Sequence, residues 1–272
     1  MDGEGVGISP EILRRIEEFT LFDDTFMTAV FDDNPESTQV LLRIILNRDD
    51  ITVTKVQTQR RYINYTHHEV VLDVLAYEKS GSLMDVEVQG DSRGASPQRA
   101  RFILALMDPR SLIKRMDYPG LKDNYLIFIT ETDVLGDGLP IYTIERTITN
   151  NGYKLFGDGS HIIYVNGAYQ PKPGEETELS NLIHDFHCAK PEDMVIPELA
   201  KTVNEHKHTE RGQRKLSNAM KELIETEKLN QTVEHVKNIM QSTNWTAEQV
   251  MDAMQLSADE RIEITKRLGE KK

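Results

Sequence analysis

Asp73, Asp85, Glu87 and Gln89 are the residues of this chain whose types and spacing suit metal-assisted chemistry. Asp73 interrupts the apolar run Val70-Val-Leu-Asp-Val-Leu-Ala-Tyr77, and the other three alternate with apolar residues in Leu83-Met-Asp-Val-Glu-Val-Gln89. A carboxylate inside an apolar strand is costly to bury without compensation. Side chains at i, i+2 and i+4 of a strand share one face, so Asp85, Glu87 and Gln89 point the same way. Lys79-Ser-Gly-Ser82 between the runs has turn chemistry, with Gly81 supplying the turn geometry. A β-hairpin is therefore expected, with Asp73 set opposite the trio. Like charges so placed repel unless a cation neutralises them, and hard oxygen donors with water completing the shell suit Mg²⁺. A metal held there polarises a phosphodiester and lowers the pKa of an attacking water. The same spacing also fits the polar, solvent-facing side of an amphipathic hairpin.

The flanking segments must position that hairpin. Ser9-Pro10 through Phe31 reads as one helix, with a serine cap, proline at the first helical position, and Ile12, Ile16, Phe19 and Phe22 at roughly helical spacing. Asn34-Pro35 breaks it, and a second helix from Pro35 to about Leu46 carries Val40, Leu41, Ile44 and Ile45 on one face. Strands begin at Ile51 with β-branched alternation. After the loop from Gly90 to Pro97, Gln98 to Arg115 reads as a helix with Phe102, Ile103, Leu106 and Ile113 as its apolar side and a break or kink at Pro109. Tyr125 to Thr130 suits a buried central strand. Ile141 to Ile148 and His161 to Val165 are further strands. From Glu175 the chain is helical, with Thr209-Glu-Arg-Gly212 as a connector, a long amphipathic helix from about Gln213 to Met240, and two short helices opening near Thr246 and Ser257.

Composition sets the bounds. With 272 residues, 38% hydrophobic and 28% charged, and a mean hydropathy of -0.49, the chain has the balance of a globular protein with a real core. No apolar run reaches the roughly 18 residues of a spanning helix, and MDGEGVGISP has neither a basic stretch nor an apolar segment. No membrane and a cytoplasmic location are expected. The lone Cys188 excludes an intrachain disulfide. A formal charge of -13 argues at first against nucleic acid. Its distribution matters more: residues 1–50 and 121–200 each sum to -8, whereas residues 51–120 sum to +2. In that stretch Arg93, Arg99, Arg101, Arg110, Lys114 and Arg115 face only Asp108, which makes a cationic patch or a solvated basic helix face.

The succession of a helix, Val-Leu-Asp73-Val, a Gly-containing turn, Val86-Glu87-Val-Gln89, and Arg99-Ala-Arg101 on a following helix resembles the PD-(D/E)xK nuclease superfamily, specifically its recombination-promoting nuclease and transposase family. Upstream, Leu21-Phe-Asp-Asp24-Thr-Phe26 with Phe31 is similar to that family's N-terminal helix motif. Downstream, Tyr125 to Thr130 is similar to its next core strand, and Leu179-Ser-Asn-Leu-Ile-His-Asp185-Phe, Met194 and Leu199-Ala to its helical extension. The resemblance covers about residues 15–212.

It implies a restriction-endonuclease-like α/β fold, with an αβββαβ core, a mixed sheet and a C-terminal helical extension. The domains would be a nuclease-like core with extra strands over residues 1–174 and the helical extension over 175–272. The implied activity is Mg²⁺-dependent DNA endonuclease, with Mn²⁺ able to substitute and little sequence specificity. Asp73 and Glu87 would ligate the metal with the carbonyl of Val88, and Gln89 would orient the attacking water. Gln89 stands where the superfamily usually has lysine, and it carries no charge to stabilise a pentavalent phosphate. Arg99 and Arg101 would contact phosphates, since the guanidinium fork matches phosphate oxygens. Asp24 is a candidate accessory acid, in competition with Asp23 and Glu36. Two-site cutting would favour a homodimer. The alternatives are a catalytically silent nuclease-fold module that binds DNA or protein, and an acidic interaction protein.

Other groups carry less chemistry. His67 and His68 are adjacent on a strand and so point to opposite faces. His184, His187 and Cys188 share a helix face by spacing, but zinc would want a fourth protein ligand or a catalytic water, and the sequence shows no partner. The C-terminal helices have a helix-turn-helix feel without a base-reading face, and packing or self-association is the expectation for them.

Overall fold

A computed structural model describes residues 8–63, 69–90, 94–111 and 117–269. The chain divides into two compact units, Met1–Leu216 and Ser217–Lys272.

In the first unit, α1 (Pro10–Glu18), α2 (Asp24–Phe31) and α3 (Pro35–Leu46) precede β1 (Val53–Ile63), β2 (Glu69–Glu78) and β3 (Leu83–Gln89). Then come α4 (Pro97–Ser111), β4 (Asn124–Thr130), β5 (Ile141–Ile144), the small pair β6 (Thr147–Ile148) and β7 (Lys154–Leu155), and β8 (Ser160–Asn166). α5 (Glu178–His187) and α6 (Pro197–His208) follow. The main sheet is mixed, with strand order β1-β2-β3-β4-β8-β5. β2 runs antiparallel to both β1 and β3, and β3, β4 and β8 run parallel. The fold is thus mixed α/β with C-terminal helices. β4 lies inside the sheet and is buried along nearly its whole length, as its unbroken apolar run requires.

One face of the sheet packs under α4, where Leu75, Leu83, Leu126, Phe128 and Tyr164 meet Ala100, Ile103, Leu104 and Met107. Asp85 and Glu87 lie on this same face by period two. Ser96 opens α4, its hydroxyl accepting from the Arg99 N–H at 3.3 Å, and Tyr164 Oη donates to the Ala95 carbonyl at 2.9 Å. The start of α4 is thereby tied to the sheet beside the carboxylates.

Several expectations are corrected. The N-terminal segment is two helices, because Asp23 turns back to accept the Thr20 N–H at 2.7 Å. The freed carbonyls of Glu17 and Phe19 then accept from the buried Lys207 ammonium at 2.9 and 2.7 Å. On α4, Ala100, Ile103, Leu104 and Met107 make the buried side while Phe102 is exposed; Ile113 lies outside the described residues. Pro109 sits within α4 close to its end. The stretch from Ile141 to Ile148 is two strands, β5 and β6. Thr209-Glu-Arg-Gly212 does not form a connector: Thr209 alone separates α6 from α7 (Glu210–Thr243), and Gly212 lies inside the helix. A Cβ there would meet the Glu205 carbonyl at 2.4 Å, so the missing side chain lets the first turn of α7 pack against the end of α6.

The second unit consists of the rest of α7 with α8 (Ala247–Ala253) and α9 (Ala258–Gly269), joined by a small core of Val233, Val236, Val250, Met251 and Ile264. Thr246 and Gln249 form a capping box at α8, and Ser257 and Glu260 cap α9 reciprocally. Among the described residues no helix is long and apolar enough to cross a membrane.

Candidate functional site

The β2–β3 hairpin pairs Tyr77 with Leu83, Leu75 with Asp85 and Val74 with Val86. Beyond Val74 the side chains take over. The Asp73 N–H donates to Glu87 Oε1, and the Val88 N–H donates to Asp73 Oδ2, each at 3.2 Å. N–H and C=O of one extended residue point to the same edge, so the Val88 carbonyl is also turned toward β2. Arg99, two residues into α4, donates through Nη2 to Glu87 Oε2 at 2.6 Å. The structure thus joins Asp73, Glu87, Val88 and Arg99 at one end of the hairpin.

The charge balance there is uneven. Glu87 and Asp85 are fully buried and Asp73 is half-buried. Both oxygens of Asp85 lack a hydrogen-bonding partner, as does the buried Arg99 Nε. Burial, then the charges of Glu87 and Asp24, push the Asp73 carboxyl up to about 8. Burial, then Glu87 and Asp73, raise Asp85 well above the ordinary carboxylate range. Burial raises Glu87 as well, against the opposing pull of Arg99. One guanidinium does not offset these carboxyl groups. The site either holds protons or takes a cation.

Asp24 is drawn into the same field, since its charge acts on Asp73. Its competitors are placed elsewhere: Asp23 is committed to Thr20, and Glu36 lines a separate cleft. What links Asp24 to the hairpin is Gln59, a residue the sequence reading passes over. Gln59 lies in β1 between Thr58, paired with Val74, and Arg60, paired with Leu72. It therefore stands across from Asp73. Its φ of 49° is left-handed, an outlier for a glutamine within a strand. Its amide donates to Thr28 Oγ1 at 3.2 Å and Asp24 Oδ1 at 3.4 Å. Neither glycine nor proline marks the kink in the sequence.

Gln89 shares the face of Glu87, and its amide lies against Gly94, where a Cβ would meet Oε1 at 1.8 Å. Arg101, two positions beyond Arg99 on α4, is exposed and pairs with no described residue. His67, His68, Arg93, Lys114, Arg115 and the side chain of Arg110 lie outside the described residues.

At the end of α5, Asp185 is fully buried and accepts from the Val195 and Ile196 N–H groups at 2.7 and 2.8 Å. His184 and Cys188 stand beside it, whereas His187 bonds the Gly167 carbonyl at 2.8 Å and packs on Phe22. A cleft of about 690 Å³ between the α2–α3 turn and α6 is lined by Asp32, Glu36, Glu198, His206 and Lys215. Its Asp32–Lys215 pair (3.0 Å) and its buried Ser37–Thr202 bond (2.9 Å) are internally satisfied. The uncompensated charge lies at the hairpin, and the candidate site is placed there.

Comparison of the chain with family models, with curated proteins and with solved structures finds no match.

Proposed function

We propose that this chain is a Mg²⁺-dependent DNA endonuclease of the PD-(D/E)xK kind, within its recombination-promoting nuclease and transposase family, and that it hydrolyses phosphodiesters with little sequence specificity of its own. The observation that carries this reading is the cluster of Asp73, Glu87 and Arg99, where buried carboxylates outnumber the cations that face them. The element order α3-β1-β2-β3-α4-β4, with β3 and β4 parallel, is the αβββαβ order that the resemblance implies and supports a restriction-endonuclease-like core.

The residues present fit a hard divalent cation, because burial and mutual repulsion hold the Asp73 and Asp85 carboxyls back from ionising, and a cation among these oxygens would supply the charge that lets them do so. Asp73, Glu87 and the Val88 carbonyl would hold it, an all-oxygen set that suits Mg²⁺ or Mn²⁺. When bound, such an ion supplies Lewis-acid polarisation of the phosphate and a water of lowered pKa.

The protein groups do the rest. Arg99 fixes the Glu87 carboxylate through Nη2 and keeps further N–H donors for a phosphate oxygen, its side chain being 37% exposed. Gln89 orients the attacking water through its amide but adds no charge to the crowded phosphate. Asp24, held by Gln59, adds an acidic group at the rim. Arg101 meets backbone phosphates farther along the strand, in the manner of a positioning contact.

Plasmid nicking tests the reading. Purified protein with Mg²⁺ should nick and linearise a supercoiled plasmid, and both EDTA and Glu87→Ala should stop it. Folded protein that cuts with neither Mg²⁺ nor Mn²⁺ would overturn it in favour of a silent nuclease-fold module binding DNA or protein, with Gln89 the first residue to suspect.

A further inference from the structure

His184 and Cys188, four residues apart at the end of α5, share a helix face, and the buried Asp185 closes the group. His184 Nδ1 lies 3.3 Å from Asp185 Oδ1 and 3.5 Å from Cys188 Sγ. Among the described residues this is the only group of three histidine, cysteine or acidic side chains whose donor atoms all lie within 4.8 Å of one another. Cys188 Sγ also lies 3.8 Å from His184 Nε2, so the sulfur sits over the face of the imidazole, and a turn of the exposed His184 ring is what aims a nitrogen lone pair at an ion shared with Cys188 and Asp185.

The surroundings suit a metal as well. The Val195 and Ile196 N–H groups fix the orientation of the Asp185 carboxylate and leave Oδ1 with a lone pair to give. The thiol is a weak donor, and its contacts with the His184 and Asp193 carbonyls at 3.4 and 3.6 Å hold it loosely. The His184 side chain is 54% exposed and lines a cleft of about 410 Å³ with Tyr169, Glu176, Ser180 and His187, which gives ion and water access.

We propose that His184 Nδ1, Asp185 Oδ1 and Cys188 Sγ form a Zn²⁺ site with water as the fourth ligand. The thiol gives its proton to solvent as the metal binds. The site differs in kind from the hairpin: nitrogen and sulfur donors select a borderline metal, whereas the all-oxygen set there selects a hard one. It does not depend on the nuclease reading.

Cobalt substitution tests it. The chelator-treated full chain is titrated with Co²⁺ and then with Zn²⁺, and near-ultraviolet and visible absorption are followed. Cys188 is the only cysteine, so a thiolate-to-cobalt charge-transfer band reports on it alone. The expected result is a band saturating at one equivalent, with tetrahedral ligand-field intensity, bleached by Zn²⁺. Cys188→Ser should abolish the band, His184→Ala should weaken the Co²⁺ binding that the band reports at least about 10-fold, and His187→Ala should leave the band unchanged. Absence of the band in excess Co²⁺, or a band unaffected by His184→Ala, would overturn the proposal.

Discussion

Two buried ionisable groups in the first unit are treated in opposite ways. Lys207 is fully buried, yet its ammonium donates to the carbonyls of Glu17, Phe19 and Ala189 and lies 5.1 Å over the ring of Phe26. Asp85 is as deeply buried, and its oxygens have no partner. The lysine is a structural charge: it ties the end of α1 to α6 and to the chain after α5, and every proton of the ammonium is used. The carboxylates of the hairpin repel one another, with Arg99 as their cation. A protein keeps an unsatisfied polar cluster at the cost of stability, and doing so makes sense where a ligand supplies the missing charge.

Substitutions can break this contrast from either side. The largest expected effect is on chemistry: Asp73→Ala and Glu87→Ala should each reduce plasmid cleavage on the order of a thousand-fold or more with circular dichroism unchanged. Lys207→Met should act in the reverse sense, leaving three carbonyls unpaired and costing about 3 kcal/mol or more in urea denaturation.

A pH series reads the hairpin side of this contrast. Asp73 is raised from 3.8 to about 8, so in EDTA the folded state retains a proton that the unfolded chain has released. Stability from this group is greatest below the unfolded value and is lost as pH rises through the folded one. The melting temperature of the metal-free protein should therefore fall between about pH 4 and pH 8, and Asp73→Asn should flatten the fall.

How much of this was legible in the sequence follows from the range over which each cause acts. The hairpin was legible because alternation and a glycine turn are local, and turn length fixes which residue faces Asp73. The Arg99–Glu87 pair was half legible, since spacing gives the helix but not the rotamer that turns Arg99 inward and leaves Arg101 out. The break between α1 and α2 was hidden, because Phe19 and Phe22 continue the helical apolar spacing and the partner of the freed carbonyls is Lys207, distant in the chain. Gly212 shows the converse: a glycine that reads as a connector is there for close helix packing. The left-handed Gln59 has no local signal, because neither it nor its neighbours Thr58 and Arg60 is a residue that favours positive φ.

Two smaller effects sharpen the view that the hairpin is built for function. Gly94→Ala needs no unusual φ, but its methyl takes the space of the Gln89 amide, so cleavage should fall about 10-fold to 100-fold with stability nearly unchanged. Gln59→Gly should relieve a left-handed residue and raise stability by about 1 kcal/mol, while freeing Asp24 and lowering activity.

The central claim is that the hairpin carboxylates are kept under-compensated so as to bind a hard cation. Isothermal titration of Mg²⁺ into the metal-free protein at neutral pH tests it most directly, because a site of nitrogen and sulfur donors does not compete for Mg²⁺. The account predicts one Mg²⁺ per chain, with proton release, lost in Asp73→Asn and Glu87→Gln and kept in Cys188→Ser. Folded protein that binds no Mg²⁺, or binds it equally well without Asp73 and Glu87, would contradict the account.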